Sequence, residues 1–270
     1  SFTSGIAVTP EAVQLTDITA RLDATRMTGG VAIARRSRPS FGLRLSLDRL
    51  NLDDYLPATE DAADRPESTG ADSEAGNPVF EKFDANVDIS VDTLSWRGET
   101  ARNVRLDGRI FKGDATVRSL SSSDLAGAAI ELTGRLDRLS GTPTGDLDVS
   151  VEGRDPARFA RLLGVTDGVA ARRFGRFAID GHVTGTAERL MVNGTMNALG
   201  GNIAAKGHVA SIRSNPSYEI AVSLDGAEGR RLLALAAPET SWRAVGPVSG
   251  GFDLSGSAER LAVRNLDISV

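Results

Sequence analysis

The amino-acid sequence predicts a mainly β protein: an elongated, curled antiparallel sheet forming a groove, built from repeated multi-strand units with short capping helices. Three observations predict it. Apolar residues alternate with others over many short stretches, as in Tyr218, Ile220, Val222 and Leu224 against Glu219, Ala221 and Ser223. Period two with one apolar face is the pattern of a half-buried strand. The 29 glycines and the scarcity of long helical patterns supply turns between short strands. The third observation is a repeat.

Residues 198–234 hold its clearest copy. Leu199-Gly200-Gly201 reads as a turn, Ile203 to Val209 as a strand, and Pro216 opens a second strand ending at Leu224. The same grammar appears at Gly29-Gly30, Pro39 and the strand of Phe41, Leu43, Leu45 and Leu47. It appears again at Gly127, Pro143 and the strand of Leu147, Val149 and Val151. A second marker, Gly185-Thr-Ala-Glu-Arg-Leu-Met-Val192, recurs 71 positions later as Gly256-Ser-Ala-Glu-Arg-Leu-Ala-Val263, and Pro143 and Pro216 lie 73 apart. Each unit of such an array borders only its neighbours. The predicted divisions are a unit over residues 1–56, an acidic disordered loop over 57–79, units over 80–164 and 165–237, and the start of a further, truncated unit over 238–270.

In chain order, residues 13–22, 27–33 and 41–47 read as three successive strands, closed by Leu50-Asn-Leu-Asp-Asp-Tyr-Leu56. Asp53 and Asp54 stand at a segment end, where adjacent carboxylates serve as a cap or a solvated turn. Arg35, Arg36 and Arg38 read as a solvated turn before Pro39. Residues 57–78 contain six acidic residues and one arginine among Pro, Gly, Ser and Ala, a composition that buries too little apolar area to offset chain entropy. Pattern resumes at Phe80 with Val87, Ile89 and Val91 on one face. Lys112-Gly113 reads as a hairpin turn. Asp155-Pro156 is a helix start and Gly164 a stop, with Phe159, Leu162 and Leu163 on one side. Phe177, Ile179, Gly181 and Val183 point inward, and Asn193-Gly194 reads as a turn. A helix-like tail over residues 230–237 and a loop containing Trp242 lead to a last strand at Phe252.

Composition narrows the functional classes. A net charge of −5 supplies no basic surface for nucleic acid. The absence of cysteine removes disulfides, thiolate catalysis and cysteine-ligated zinc. There is no Gly-x-Ser-x-Gly, no phosphate loop and no helical histidine pair. The two histidines, His182 and His208, fall on polar strand faces with no partners to complete a metal site. The expectation is a protein that is not an enzyme and that carries no cofactor and no metal. No run reaches the ~18 apolar residues of a membrane span. The chain opens and stops in strand-like sequence, so it reads as a piece of a longer protein whose anchor or export signal lies outside it.

Geometry adds a constraint. About fifteen strands at ~4.8 Å spacing make a sheet roughly 70 Å long with an apolar face on the order of 1,000 Å². Soluble monomers rarely leave more than a few hundred square ångströms of contiguous apolar surface exposed. Few large aromatics and many Gly, Ala, Val and Leu on the inward face favour a groove that takes an apolar ligand.

The double-glycine entry, the Pro-led strand, the closing Leu50-Asn-Leu-Asp-Asp-Tyr-Leu56 and the pattern from Asn197-Ala-Leu-Gly-Gly201 to Gly207 resemble the AsmA-like proteins of diderm bacteria. The likeness covers the chain except the acidic loop. It implies a periplasmic bridge-like protein, inner-membrane anchored through a helix absent from this chain, with repeating β-groove units that carry phospholipid toward the outer membrane. Acyl chains would lie in the groove and headgroups in water; the partner proteins at either end are not specified. The residues expected to line the lipid path are Leu43, Leu45, Leu47, Val87, Ile89, Val91, Leu147, Val149, Val151, Ile220, Val222 and Leu224. The alternative is a closed β-solenoid serving as an extracytoplasmic adhesin or scaffold, with the same residues as its core.

Overall fold

The computed structural model describes residues 1–22, 24–54, 78–96, 98–162, 175–212, 216–231, 246–257 and 260–270. Among them run fifteen strands. The first seven are β1 (Phe2–Val8), β2 (Ala12–Leu22), β3 (Thr25–Ala34), β4 (Ser40–Asn51), β5 (Asp84–Trp96), β6 (Glu99–Phe111) and β7 (Asp114–Leu125). The rest are β8 (Ala128–Asp137), β9 (Thr144–Gly153), β10 (Phe177–Thr186), β11 (Arg189–Ala198), β12 (Gly201–Ala210), β13 (Ser217–Glu228), β14 (Pro247–Ser257) and β15 (Arg260–Ser269). Helix α1 (Pro156–Leu162) follows β9, and 3-10 turns stand at Leu52–Asp54 and Pro78–Glu81.

The strands form one sheet whose order is the chain order, with β1 and β15 as its edges. The mainly β class is therefore observed, in one open sheet. Pairing between chain neighbours extends a sheet sideways without closing it, so the closed solenoid is replaced by an open sheet, and of the curled antiparallel sheet expected from the sequence what is observed is a single, largely antiparallel sheet that is not strongly curled. Among the described residues the sheet is largely antiparallel, and β4 and β5 run parallel in register from Ser40↔Asp84 to Asn51↔Ser95. The expected loop over residues 57–79 falls outside the described residues except at Pro78 and Val79, which open a 3-10 turn.

The chain divides into two compact units, residues 1–125 with 131–143, and residues 126–130 with 144–270. In the first, Asp84 ties the beginning of β5 to its surroundings. Its carboxylate accepts from Arg38 Nε at 2.6 Å and from the Lys112 amide at 3.1 Å, while Arg38 Nη2 donates to the Phe83 carbonyl. Arg38, expected in a solvated turn, is thus a half-buried anchor. Lys112-Gly113 is the expected hairpin turn, with φ of 54° and 86°, the pair of positive values that a type I′ turn needs.

From β8 onward the repeat is visible strand by strand. β8 and β12 lie 73 positions apart, as do β9 and the start of β13, while β11 and β15 lie 71 apart. The turns before β8 and β12 match as well. Ala126-Gly127 has φ of 52° and 85°, Leu199-Gly200 has 57° and 78°. One expectation fails here. Asn193-Gly194 is no turn but the middle of β11, paired with His182 and Gly181 on one side and with Lys206 and Ala205 on the other. The glycine serves close approach, since a Cβ on it would stand 3.0 Å from the Asp180 carbonyl oxygen.

A core forms at one rim of the second unit. Ala128, Val151, Phe177, Ala198 and Leu199 are buried together, and Phe159 of α1 packs on them, its ring 6.0 Å from that of Phe177. The Asp155 carboxylate caps α1 by accepting from the Arg158 amide, as the Asp-Pro start predicts. Leu163 and Gly164, expected to finish that helix, lie outside the described residues, as does Trp242; the helical tail expected over residues 230–237 shows its first turn at Gly229 to Arg231, and the rest lies outside them.

Two outcomes are expected. Phe177→Ala should cost about 3 kcal/mol of stability, the order found for deleting a buried aromatic, measured by urea unfolding. Burial pushes the Asp84 carboxyl up, but the Lys112 amide and the Arg38 guanidinium outweigh it and hold the group below its ordinary range. Its stabilising effect is full above the unfolded value and lost as pH falls through the lowered folded value. The melting temperature of the native chain should therefore drop more steeply between about pH 5 and pH 3 than that of Asp84→Asn.

Candidate functional site

The twelve residues expected to line a lipid path fall on one side of their strands. In the first unit β4 and β5 bring Leu43, Leu45 and Leu47 directly opposite Val87, Ile89 and Val91. The row through Leu45 and Ile89 continues to Leu106 and Leu120, and that through Leu43 and Val87 reaches back to Val31 and Leu15. Paired residues share a face of the pleat, so these rows form a continuous apolar surface.

The second unit repeats the arrangement over six strands. Val151, Ile179, Met196, Ile203 and Leu224 make one row, and Leu147, Val183, Val192, Gly207, Ile220 and Leu254 another. Between them runs Val149, Gly181, Gly194, Ala205, Val222 and Phe252. Over β10 to β12 this middle row has only two hydrogens or a methyl above the backbone, while its flanks carry mostly Val, Ile and Met. The result is a furrow across the strands. Its flanking rows are four residues apart along each strand, about 13 Å at ~3.3 Å per residue. The expected residues therefore come together, and the furrow adds Gly181, Gly194 and Ala205, which a search for large apolar side chains passes over.

Burial grades these positions. Ten of the twelve are half-buried. Val91 and Val151 are 4% and 5% exposed, and Val151 belongs to the rim core, where protein side chains already cover it. Bulges keep the apolar face continuous. In β2 the register shifts between Leu15 and Ile18 at Asp17, whose φ is 51°. In β15 the shift falls opposite Phe252, at Asn265, also at 51°. The extra residue restores Ile18, and likewise Leu266 and Ile268, to the side of Leu15 and Val263. A strict period-two reading cannot see this.

The opposite face is polar. Arg44 Nε donates to Asp88 at 3.1 Å, and Arg118 makes a two-pronged pair with Asp107, its Nε at 2.9 Å. The Arg118 hydrogen bond holds the Asp107 carboxyl below the usual carboxylate range and in turn raises Arg118. His182 stands between Asp148, 2.8 Å from Nδ1, and Asp146, 3.5 Å from Nε2, while His208 lies 3.9 Å from Glu219. Both histidines occupy the polar face as predicted. Exposed pairs of this kind contribute little to stability but make this face hydrophilic. An open cleft of about 870 Å³ in the first unit is lined by Leu43 and Val87 together with Arg44, Asp88, Asp107 and Arg118, so it mixes both kinds of surface. Among the described residues no group of three or more His, Cys, Asp or Glu could hold a metal ion, and no helix is long and apolar enough to cross a membrane.

What the apolar face offers is dispersion contact and freedom from charge, suited to hydrocarbon. The chain matches no family model, no curated protein and no solved structure.

Proposed function

We propose that the apolar face is a carrier surface for phospholipid acyl chains, with headgroups left in water. The observation that carries this reading is the furrow of Gly181, Gly194 and Ala205 between its flanking apolar rows. An extended hydrocarbon chain is narrower than the separation of those rows and meets methyl and methylene groups on both sides. Each buried CH₂ contributes about 0.8 kcal/mol, so a chain laid along the furrow is held without any polar contact. The row runs across the strands, the direction in which a sheet of repeated units grows.

The resemblance to AsmA-like proteins supplies the setting of the proposal: a periplasmic bridge, inner-membrane anchored, that moves phospholipid toward the outer membrane and so contributes to outer-membrane biogenesis. No step in that reading needs an enzyme or a cofactor. The repeat of 71 to 73 residues and the helical segments after β9 and β13 agree with such units.

Two variants test the proposal. Val222→Asp places an unpaired carboxylate among acyl chains at a cost of several kcal/mol. Gly181→Leu fills the furrow without charge. A Cβ at Gly181 meets only the Asn193 carbonyl oxygen, at 3.9 Å, so the change fits the strand. Phospholipid extracted from protein purified in mild detergent should be present for the native chain and reduced at least about tenfold for both folded variants, a ~1.4 kcal/mol effect or more, by mass spectrometry. A lipid-free native chain, or variants that carry as much lipid as it does, would overturn the assignment.

A further inference from the structure

At the end of β11 and the start of β12 lies an open cleft of about 810 Å³ whose walls carry amides and cations. Asn197 and Asn202 stand directly opposite each other in the ladder, one residue outside the apolar pair Met196 and Ile203. Both carboxamides therefore rise from the polar side of the sheet. The Leu199-Gly200 turn closes this end, Arg176 enters from the residue before β10, and Arg231 comes from the short helical turn after β13.

The charges here do not cancel. Arg231 Nε holds the Glu228 carboxylate at 2.8 Å, which leaves its two terminal nitrogens uncommitted. Arg176 has no carboxylate partner among the described residues. Asp225, the ladder neighbour of Asn202, is engaged toward β14, where it accepts from Ser249 Oγ at 3.2 Å. One positive charge remains beside two amides.

The repeat shows which of these groups the scaffold requires. Ala126-Gly127 turns with the same positive angles as Leu199-Gly200, and 73 positions before Glu228 and Arg231 stand Asp155 and Arg158. A Cβ on Gly127 would stand 3.6 Å from Asp155 Cβ, and one on Gly200 would stand 2.7 Å from Glu228 Oε1. An acid packed on the turn glycine, with an arginine three residues later, thus belongs to the fold. The asparagines do not. Their counterparts around the earlier turn are Asp124 and Ala129, a carboxylate and a methyl group. Exchanging a carboxylate for paired amides beside an unpaired guanidinium is the change that binding an anion requires, since carboxylates only accept while amides and guanidinium groups donate.

We propose that this cleft binds an oxyanion of the phosphate class. Arg176 and the terminal nitrogens of Arg231 face its charge, a geometry in which guanidinium groups match phosphate oxygens, and the Asn197 and Asn202 amide groups donate to the remaining oxygens. The site belongs to the polar face and does not rest on the acyl-chain reading.

The test is an NMR titration of the full chain with inorganic phosphate at constant ionic strength, read on the Asn197 and Asn202 side-chain amides. Arg176 and both asparagines are exposed, so binding should be saturable in the millimolar range and substitution should leave the melting temperature unchanged. Arg176→Gln and Asn197→Asp, which installs the carboxylate of the earlier copy, should each weaken binding at least about tenfold. Arg105→Gln, which removes an exposed arginine of the first unit, should leave it unchanged. The absence of saturable shifts, or native affinity in Arg176→Gln or Asn197→Asp, would overturn the proposal. An equal loss in Arg105→Gln would do the same, because net charge alone would then account for the effect. Glycerol phosphate and dihexanoyl phosphatidylglycerol below its micelle concentration separate a soluble ligand from a lipid headgroup: binding of either upholds the site, and the tighter of the two names the source.

Discussion

The constraint on which this structure depends is that each strand satisfies its backbone through the strands before and after it in the chain. In a sheet whose strand order is the chain order, each inner strand has a neighbour on both sides. Such a sheet has no automatic second layer. Period-two sequence then sorts side chains into one apolar and one charged face, and the ladder fixes which residues stand side by side. The rim core of Phe159, Phe177 and Leu199 covers only the ends of the strands in its unit. The half-buried state of Leu147, Ile220 and Val222 follows directly, because strand neighbours shield them sideways while the rim core sits at the far end of the strand.

The parallel pairing of β4 with β5 shows the same constraint at work on a loop. Two parallel neighbours require the chain to return along the full length of the strand, which takes a dozen residues or more. β4 ends at Asn51 and β5 begins at Asp84, and the acidic stretch lies between them. The pattern of strands alone carries no information on direction, and only the ladder from Ser40↔Asp84 onward reveals it.

What was legible in the sequence was local. Alternation located the strands and assigned Val87, Ile89 and Val91, or Ile220, Val222 and Leu224, to the correct side. Lys112-Gly113 declared its turn. The repeat was legible too: between β8, β9 and β11 and their counterparts β12, β13 and β15 it is strand-by-strand, whereas in its first copy Gly29-Gly30 lies inside β3 and not at a turn. What was not legible depended on partners. Asn193-Gly194 has turn chemistry but lies mid-strand, because its neighbours on both sides pair through it. Arg38 looked solvated because Asp84, 46 positions away, is brought to it only by the sheet. The bulges at Asp17 and Asn265 break the period at the places where the apolar face needs them, and the furrow is a property of rows, not of any one strand.

The glycines separate what the fold demands from what it merely permits. A Cβ on Gly207 would stand 2.0 Å from the Glu219 carbonyl oxygen, and one on Gly201 would stand 2.5 Å from the Ala227 amide nitrogen. Those positions are glycine because backbone approaches there. Gly181 has no such neighbour, the nearest atom being 3.9 Å away, and glycine in a strand costs roughly 0.5–1 kcal/mol relative to alanine. Nothing in the ladder compensates that cost. It is offset only if the missing side chain does something on the face of the sheet, and beside Gly194 and Ala205 what it does is keep the furrow open. A β-sheet protein selected for stability alone would fill that row with valine and isoleucine, as its flanks are filled. Gly181 is therefore the glycine of that row that the ladder does not explain, whereas Gly194 is already required by the Asp180 carbonyl oxygen, 3.0 Å from where its Cβ would stand.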